Sequence, residues 1–584
     1  GSTGVIYRQF SITIVSAMAL SVLVALTLTP ALCATLLKAK DAEHTKRGLF
    51  GWFNRGFEKT TNGYGGTVGA IIKRPLRMLV VYLALAGGMV WLFDNTPTGF
   101  LPAEDQGILM TIIQAPTGAT AERTQDVLEQ VQAHFLENES EAVESVFGVV
   151  GFSFAGQGQN MGIAFVRLKD WEERQDPNLS VQAVANRAFP AFMAIQDAQV
   201  FPIVPPSVIE LGNVSGFDFF LQAQGGQTHE QLLNARNQLL GMASQSDMIA
   251  SVRPSGLEDA AQFELDIDWR AAGAVGVTPT NVGNVLSIAW AGQYVNDFVD
   301  NGRIKRVYVQ GAPDSRATPS DLQKWRVRNA NGDLVPFANF TSESWTYGAQ
   351  GLNRYNGVPS MQIQGSPAPG VTTGEAMAEM ERIVSQLPPG YTIAWTGLSL
   401  EERSSGGQAP LLYALSLAAI FLCLAALYES WTIPFSVMLA MPIGVLGTMG
   451  AAYWFGFENG VFFQVGLLTV IGLTGKNAIL IVEFARERFD AGEDLFTATK
   501  EAAKQRFRPI IMTSLAFTLG VVPLVLSTGA GAGGRTAVGS AVLGGTITGT
   551  VLGVLFVPLF FTVVYRVFAR KQVREHAQKA DAST

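Results

Sequence analysis

Lys476 stands about two-thirds of the way along an otherwise apolar run, residues 461–484. An ammonium at membrane depth is costly, so it normally faces a bundle interior or a wet cavity, paired, on an ion or proton path. Its own helix offers a poor partner. Glu483 lies seven residues on, nearly on the same face but roughly 10 Å along the axis at 1.5 Å rise per residue. There, near the end of the run, a carboxylate reaches water. The other six apolar runs hold no Asp or Glu in their interiors. Lys476 is therefore either unpaired or served by a counter-charge on a segment this sequence does not contain.

A second candidate is the stretch from Gly151 to Gly162, with Phe152 and Phe154 at period-2 spacing among Gly151, Gly156, Gly158 and Gly162. It reads either as a glycine-rich connection whose aromatics cap a core or as a mobile gate beside an aromatic pocket. Ligand pockets are mostly apolar and functional loops must move. Phe147, Phe165 and Phe201 line the same cavity on the second account and are ordinary core on the first. Other chemistry is not signalled. His44, His134, His229 and His576 are scattered, so no metal cluster is visible. No G-x-x-x-x-G-K-[ST] loop suggests direct ATP coupling, and no basic, aromatic-interleaved surface suggests nucleic acid. Cys33 and Cys423 both fall in apolar runs, which leaves no disulfide framework.

The elements that must position these residues divide sharply. The chain is 48% hydrophobic and 15% charged, an average over apolar runs at 10–37, 78–93, 409–428, 433–457, 461–484, 509–527 and 538–564 and a long polar region between the second and third. A hydrocarbon core of about 30 Å needs roughly 20 helical residues. Six runs qualify outright and the 78–93 run does so with its flanks, giving seven helices, two before the polar region and five after it. Lys38, Lys40, Lys46, Arg47, Arg55, Lys59, Lys73, Arg74 and Arg77 lie between the first two spans. Arg486, Arg488, Lys500, Lys504, Arg506 and Arg508 lie between the fifth and sixth, and Arg566, Arg570, Lys571 and Arg574 in the tail. The positive-inside rule makes that side cytoplasmic and the polar region external. The formal charge of −7 averages the two sides. Gly1 stands directly before a span that must enter from outside, without an initiator Met or a signal sequence. With the odd helix count and the orphan lysine, this leads us to expect part of a longer chain.

Within the polar region, 107–114, 142–150, 162–168 and 198–204 read as strands, and 120–135 and 181–195 as helices. That order is βαββαβ, the split βαβ pattern. It recurs as 216–224, 231–242 and 249–254, then, after an interruption, 360–365, 374–387 and 391–397. The interruption has its own helix, 280–290, and strand, 303–310, and holds Asn331-Gly332, a two-residue hairpin signal. On the cytoplasmic side Phe50, Phe53 and Phe57 make one helical stripe flanked by basic residues, which reads as an interfacial helix. Gly545, Gly549 and Gly553 repeat every four residues as a close-packing face.

The segments FLCLAALYESW at 421–431 and GLTGKNAILIVEFA at 472–485, with YRQFSIT at 7–13 and RFRPIIMTS at 506–514, resemble the resistance–nodulation–division (RND) multidrug exporters of the AcrB type. The resemblance runs essentially from end to end. It implies a C-terminal half beginning at the sixth of twelve transmembrane helices, in a homotrimer that couples inward proton flow to drug export. In that family two aspartates of the fourth helix, upstream of Gly1, form the relay with a lysine of the tenth helix and an arginine and a threonine of the eleventh. Lys476, Arg506 and Thr513 match these three, and Asn477 adjoins the lysine. Without the family, Arg506 reads equally as a positive-inside residue and Thr513 as a helix-packing hydroxyl.

The glycine–phenylalanine stretch matches the family's switch loop, with Gly151, Phe152, Phe154, Gly156, Gln157 and Gly158. Phe147, Val149, Ile163, Phe165, Phe201 and Ile203 fall on distal drug-pocket positions, and Met110, Glu210 and Arg253 on the proximal pocket or its mouth. Gln157 stands where the best-known relative has arginine, and Ile203 where it has phenylalanine, which points to a different drug spectrum. The implied fold class is a polytopic α-helical membrane protein with a large periplasmic α+β region of split βαβ (ferredoxin-like) subdomains and an inserted docking domain. The implied parts are a first helix at 1–37, a cytoplasmic loop at 38–77, a second helix at 78–95, porter subdomains at 96–209 and at 210–260 with 349–400, a docking domain at 261–348, five helices at 401–565 and a basic tail at 566–584. The Asn331-Gly332 hairpin would meet a periplasmic adaptor or an outer-membrane channel.

The implied setting is the Gram-negative inner membrane, with residues 96–407 in the periplasm. The implied ligands are amphiphilic drugs and membrane lipid, the energy source is the proton gradient, and no cofactor or metal is called for. Two other readings stand beside this one. One is a non-transporting assembly or regulatory subunit, and the other a related protein- or metal-export pump. The lack of clustered His or Met in the external region counts against metal.

Overall fold

The computed structural model describes residues 2–36, 49–102, 104–154, 156–208, 211–212 and 215–568. Glu210 and the basic residues Lys38, Lys40, Lys46, Arg47, Arg570, Lys571 and Arg574 lie outside these. Two compact units are present: Gly256–Asn353, and the rest of the chain on either side of it.

The chain opens with α1 (Ser2–Leu26) and α2 (Leu28–Leu36), which together form one candidate span. Their boundary falls four residues before Pro30, whose ring clashes with the carbonyl at that position. Next, α3 (Leu49–Lys73) does more than lie at an interface. Its buried stripe runs through Tyr64, Val68 and Ile72, with Tyr64 stacked on Phe507 at 4.4 Å and its hydroxyl donated to the Val554 carbonyl at 2.8 Å. Phe57 joins the same cluster while Phe53 stays exposed, so the helix is docked against other helices through Phe57, Tyr64, Val68 and Ile72. Pro75 then opens α4 (Pro75–Asn95) at a first-turn position where no backbone N–H is needed.

The first α+β subdomain follows as β1 (Ile108–Gln114), α5 (Ala121–Ala133), β2 (Val143–Ser153), β3 (Gly156–Leu168), α6 (Val181–Met193) and β4 (Gln199–Ile203). The sheet order is β2-β3-β1-β4. Thr120 and Ser180 accept the first-turn N–H groups of Arg123 and Ala183, which starts each helix where the hydrophobic period switches from two to 3.6. Both helices cover one face of the sheet, over Leu109, Ile113, Ala164, Val166 and Val200. Before β1, Asp105 holds the fully buried Arg174 through two bonds of 2.6 and 2.7 Å and accepts the Gly107 and Val181 amides.

The stretch expected as a loop at 151–162 is instead the end of a long hairpin. Phe152 pairs with Gln157 and Ser153 with Gly156. Gly151, at φ +98°, takes up the irregularity between Val150 and Phe152 that keeps the strands in register.

The second sheet begins with β5 (Phe217–Ala223), α7 (His229–Ala243) and β6 (Ile249–Ser255). The chain then enters the smaller unit. There β7 (Ala260–Ile267) pairs with a returning strand, α8 (Trp269–Ala274) and α9 (Pro279–Leu286) lead to the hairpin of β8 (Gln293–Asp300) and β9 (Arg303–Val309), and β10 (Arg326–Arg328) pairs β11 (Leu334–Pro336) before β12 (Thr341–Gly348) closes against β7. Val282, Leu322, Val327, Phe337 and Phe340 form its core.

The turn at Asn331-Gly332 departs from the two-residue hairpin expected there. Residues 329–333 connect the strands, and the Asn329 side chain accepts the amides of Asn331 and Asp333. Gly332 alone has positive φ, whereas a two-residue type I′ turn needs it at both positions. That turn occurs at Asn301-Gly302 and Asn356-Gly357, where both residues have positive φ.

After the smaller unit come β13 (Arg354–Tyr355), β14 (Val358–Pro367), α10 (Thr373–Val384) and β15 (Tyr391–Trp395). In the completed sheet β6 pairs β14, which pairs β5, which pairs β15. The topology of the first sheet is thus repeated across an intervening unit. Here α7 and α10 cover Phe217, Phe219, Leu221 and Ile363.

The remaining helices are α11 (Gly397–Tyr428), α12 (Ile433–Met438), α13 (Met441–Phe455), α14 (Val461–Asp490), α15 (Leu495–Val525), α16 (Ala532–Val551) and α17 (Gly553–Phe568). Among the described residues six helices are long and apolar enough to span a membrane, and seven if the α16–α17 pair, bent by 56°, counts as one. Close packing sits at Gly545 and Gly549, where an added Cβ would lie 2.5 and 2.9 Å from the Thr448 and Thr474 hydroxyls. Gly553 does not share it: its Cβ position is open, and it begins α17 after the bend.

Candidate functional site

Helix α14 buries Val470, Thr474, Gly475, Ala478, Ile481 and Val482. Lys476 stands on the exposed side of the same helix, and no hydrogen bond or ion pair reaches it from the described residues. Asn477 turns toward two hydroxyls, Ser514 of α15 at 3.4 Å and Thr550 of α16 at 3.5 Å, which bond each other at 2.8 Å. This polar contact within the spans was not anticipated. Its signal in the sequence was weak, since Ser514 and Thr550 are ordinary small residues of apolar helices.

Arg506 lies over the Phe484 ring at 3.2 Å, and its Nε is buried without a partner. The Thr513 hydroxyl donates back to the Ile510 carbonyl at 3.1 Å. The structure therefore sets Lys476, Arg506 and Thr513 on two packed helices, with no direct bond among them.

The seven described pocket candidates of the first subdomain come together. Phe147, Phe165, Met110 and Ile203 are directly opposite one another across the four strands, and Val149, Ile163, Ile112 and Phe201 form the next row. Directly paired residues, and those two apart on one strand, share a face. Both rows thus stand on the face away from α5 and α6. Met110, Ile163 and Ile203 are buried, whereas Phe147 is 65% exposed. Ile112 belongs to this patch and was missed, although its place two residues after Met110 was a signal. Phe152 and Phe154, at the hairpin end, meet edge to face at 6.3 Å and stay partly exposed, and Gln157 is exposed beside them.

Arg253 of β6 brings the second sheet to the first, with its guanidinium 5.3 Å from the Phe201 ring centre. Behind it runs a polar row in register, Arg253 (β6), Gln364 (β14) and Asp218 (β5). Burial pushes the Asp218 carboxyl up and the Arg253 guanidinium down, each opposed by the charge of the other, and the Gln362 and Gln364 N–H bonds draw Asp218 back down.

A third titrating group lies where the second subdomain meets the membrane helices. Glu402, near the start of α11, accepts the Thr373 hydroxyl at 2.8 Å on both oxygens. Burial pushes it up to about 7, with Glu458 adding to the rise and Thr373 opposing it. Burial also raises Glu458, aided by Glu375. A cavity of about 440 Å³ lies elsewhere, at the base of the first subdomain, lined by Phe10, Glu104, Phe462, Leu524, Arg535 and Val538 among others. Among the described residues no three His, Cys, Asp or Glu side chains cluster as a metal site.

Residues 1–565 match the AcrB/AcrD/AcrF family. The chain is 56% identical over 548 residues to the multidrug/solvent efflux pump membrane transporter MepB of Pseudomonas putida, covering 93% of this chain and 52% of that protein. It is 55% identical over 549 residues to the multidrug export protein AcrF of Escherichia coli K12, covering 93% and 53%. It is 51% identical over 548 residues to the multidrug resistance protein MdtF of the same strain, with the same coverage. The chain spans about half the length of the curated relatives it matches. A membrane-helix region joined to paired α+β sheets accords with that match, and the chain belongs to the AcrB/AcrD/AcrF family.

Proposed function

We propose that this chain forms part of an RND exporter that moves amphiphilic drugs and solvents out of the periplasm and inner membrane, driven by inward proton flow. The carrying observation is the family match over residues 1–565, with relatives named as multidrug and solvent efflux transporters at 51–56% identity. On this reading the bent α16–α17 pair is one span, giving seven. The two sheets are porter subdomains in the periplasm of a Gram-negative cell, and the smaller unit is a docking domain. Its turn at Asn331-Gly332 faces a periplasmic adaptor or outer-membrane channel. The working unit is a homotrimer, and the proton gradient supplies the energy without a cofactor.

The relay is assigned to Lys476, Arg506, Thr513 and Asn477. Lys476 suits this role because it stands in a span on a helix face left open, where a lysine calls for a carboxylate. The cleft is assigned to the apolar rows of the first sheet, with Arg253 opposite and the hairpin of Phe152 and Phe154 as its switch. Large aromatic surface with few fixed polar groups is the chemistry of a broad amphiphile pocket.

The test is export of a fluorescent amphiphile by the purified native protein in proteoliposomes under an imposed proton gradient. Gradient-dependent export abolished by a protonophore is expected. Binding of partners without any export would overturn the reading in favour of an assembly or regulatory subunit.

A further inference from the structure

The two sheets share a topology but turn different chemistry to the face their helices leave open. On the first that face is apolar. On the second, Asp218, Gln364 and Arg253 stand opposite one another across three strands, while Phe217, Phe219 and Ile363 on the reverse side belong to the core. The Asp218 carboxylate takes Nε2–H bonds from Gln362 at 2.9 and 3.0 Å and from Gln364 at 3.0 Å. It accepts at both oxygens, as an ionised carboxylate does. The Gln364 amide then turns its oxygen to Arg253 Nη2 at 3.0 Å. One side chain thus links the anion to the cation, and the guanidinium at the far end meets Phe201 of the other sheet.

We propose that Asp218 is a specificity-determining residue of this cleft: through Gln364 it offsets the charge of Arg253, so that neutral and cationic amphiphiles are accepted in preference to anionic ones. A partly buried guanidinium without such an offset attracts carboxylates strongly, because little water screens it. With Asp218 one amide away, the row is close to neutral overall. What remains at the surface is a flat cation on an aromatic ring, which other aromatic faces can share. Asp218 acts through its neighbours and is a positioning residue, hidden behind the group that meets the ligand. This inference rests on the export reading and adds a charge class to it.

The test uses a carboxylate-bearing xanthene dye and its methyl ester, with binding followed by fluorescence anisotropy on the purified native protein and export followed in proteoliposomes. Asp218→Asn should tighten the carboxylate dye roughly five- to tenfold relative to the ester, the effect of one unit charge a short distance away in a partly buried site. Gln364→Glu, which sets a carboxylate directly on the guanidinium, should weaken the carboxylate dye by a similar factor relative to the ester. A merely structural role would move both dyes together. Parallel shifts, or an unmoved ratio in both variants, would overturn the inference, as would a wild-type protein that binds neither dye. Wild-type protein that binds the ester but does not export it under a proton gradient would overturn the export reading, leaving the binding ratio to decide this one.

Discussion

The two α+β subdomains are built on the same strand order yet carry titrating groups of opposite electrostatic behaviour. Within the first, Asp105 pairs with the buried Arg174; burial raises the carboxyl but the arginine bonds and two backbone amides outweigh it and hold it low. Where the second meets the membrane helices, Glu402 and Glu458 are pushed up mainly by burial, with Glu458 adding to the rise of Glu402 and Glu375 to that of Glu458. Topology alone fixes neither behaviour. A repeated fold can thus carry an internal ion pair in one copy and, in the other, carboxyls that take up protons where it meets the membrane helices.

The largest loss of stability is expected at the ion pair. Asp105→Asn leaves Arg174 buried and unpaired, and loss of about 3–5 kcal/mol is expected in chemical denaturation of the purified protein. Because the Asp105 pKa is lowered on folding, its contribution is present above its unfolded value and is lost as pH falls through the folded one. Next in size is Leu109→Ala, which empties a fully buried site under α5 and α6 and should cost about 2–4 kcal/mol. Neither variant should change which drugs are preferred, as read from relative export rates.

The carboxyl of Glu402 has the opposite pH sign. The Glu402 pKa is raised on folding, to about 7. Its folded state therefore holds the proton better, so stability contributed by the protonated group is full below about 4.5 and falls as pH rises through about 7. Glu402→Gln should flatten the fall in Tm between about pH 5 and about pH 8. A wild-type Tm that is flat over this range would refute the contrast between the two subdomains. The smallest stability effect is expected at the open face of the first sheet. Phe147→Ala, at a residue 65% exposed, should change stability by about 0.5 kcal/mol or less while shifting relative export of bulky aromatic compounds.

The periodic parts of this molecule were legible in the sequence. The change from period two to 3.6 marked the strands and helices of both sheets. Turn chemistry was read less well. Asn331-Gly332 drew notice, while the same pair at 301–302 and 356–357 made the tight hairpins, because strand register decides which Asn-Gly closes a two-residue loop. The stretch after Gly151 looked like a loop for its glycines, yet strand pairing of Phe152 with Gln157 extends the hairpin through it.

Among the candidate site residues, the apolar cleft positions were individually visible as aromatic and branched residues of strands. Their arrangement into two rows, and the addition of Ile112, depended on cross-strand register. So did the Asp218–Gln364–Arg253 row, whose members lie far apart in sequence. Lys476 stood out as a candidate from charge and depth alone. The Ser514–Thr550–Asn477 contact was not, since hydroxyls are unexceptional in apolar helices.

In the function proposed above, Lys476 carries proton coupling while the sheets carry substrate choice. The direct test is gradient-driven export by Lys476→Ala protein in proteoliposomes, with its folding and oligomeric state checked by size exclusion. A loss of roughly 100-fold or more in export rate is expected, with dye binding retained and the assembly intact. Export at the wild-type rate by a stably folded Lys476→Ala protein would contradict it.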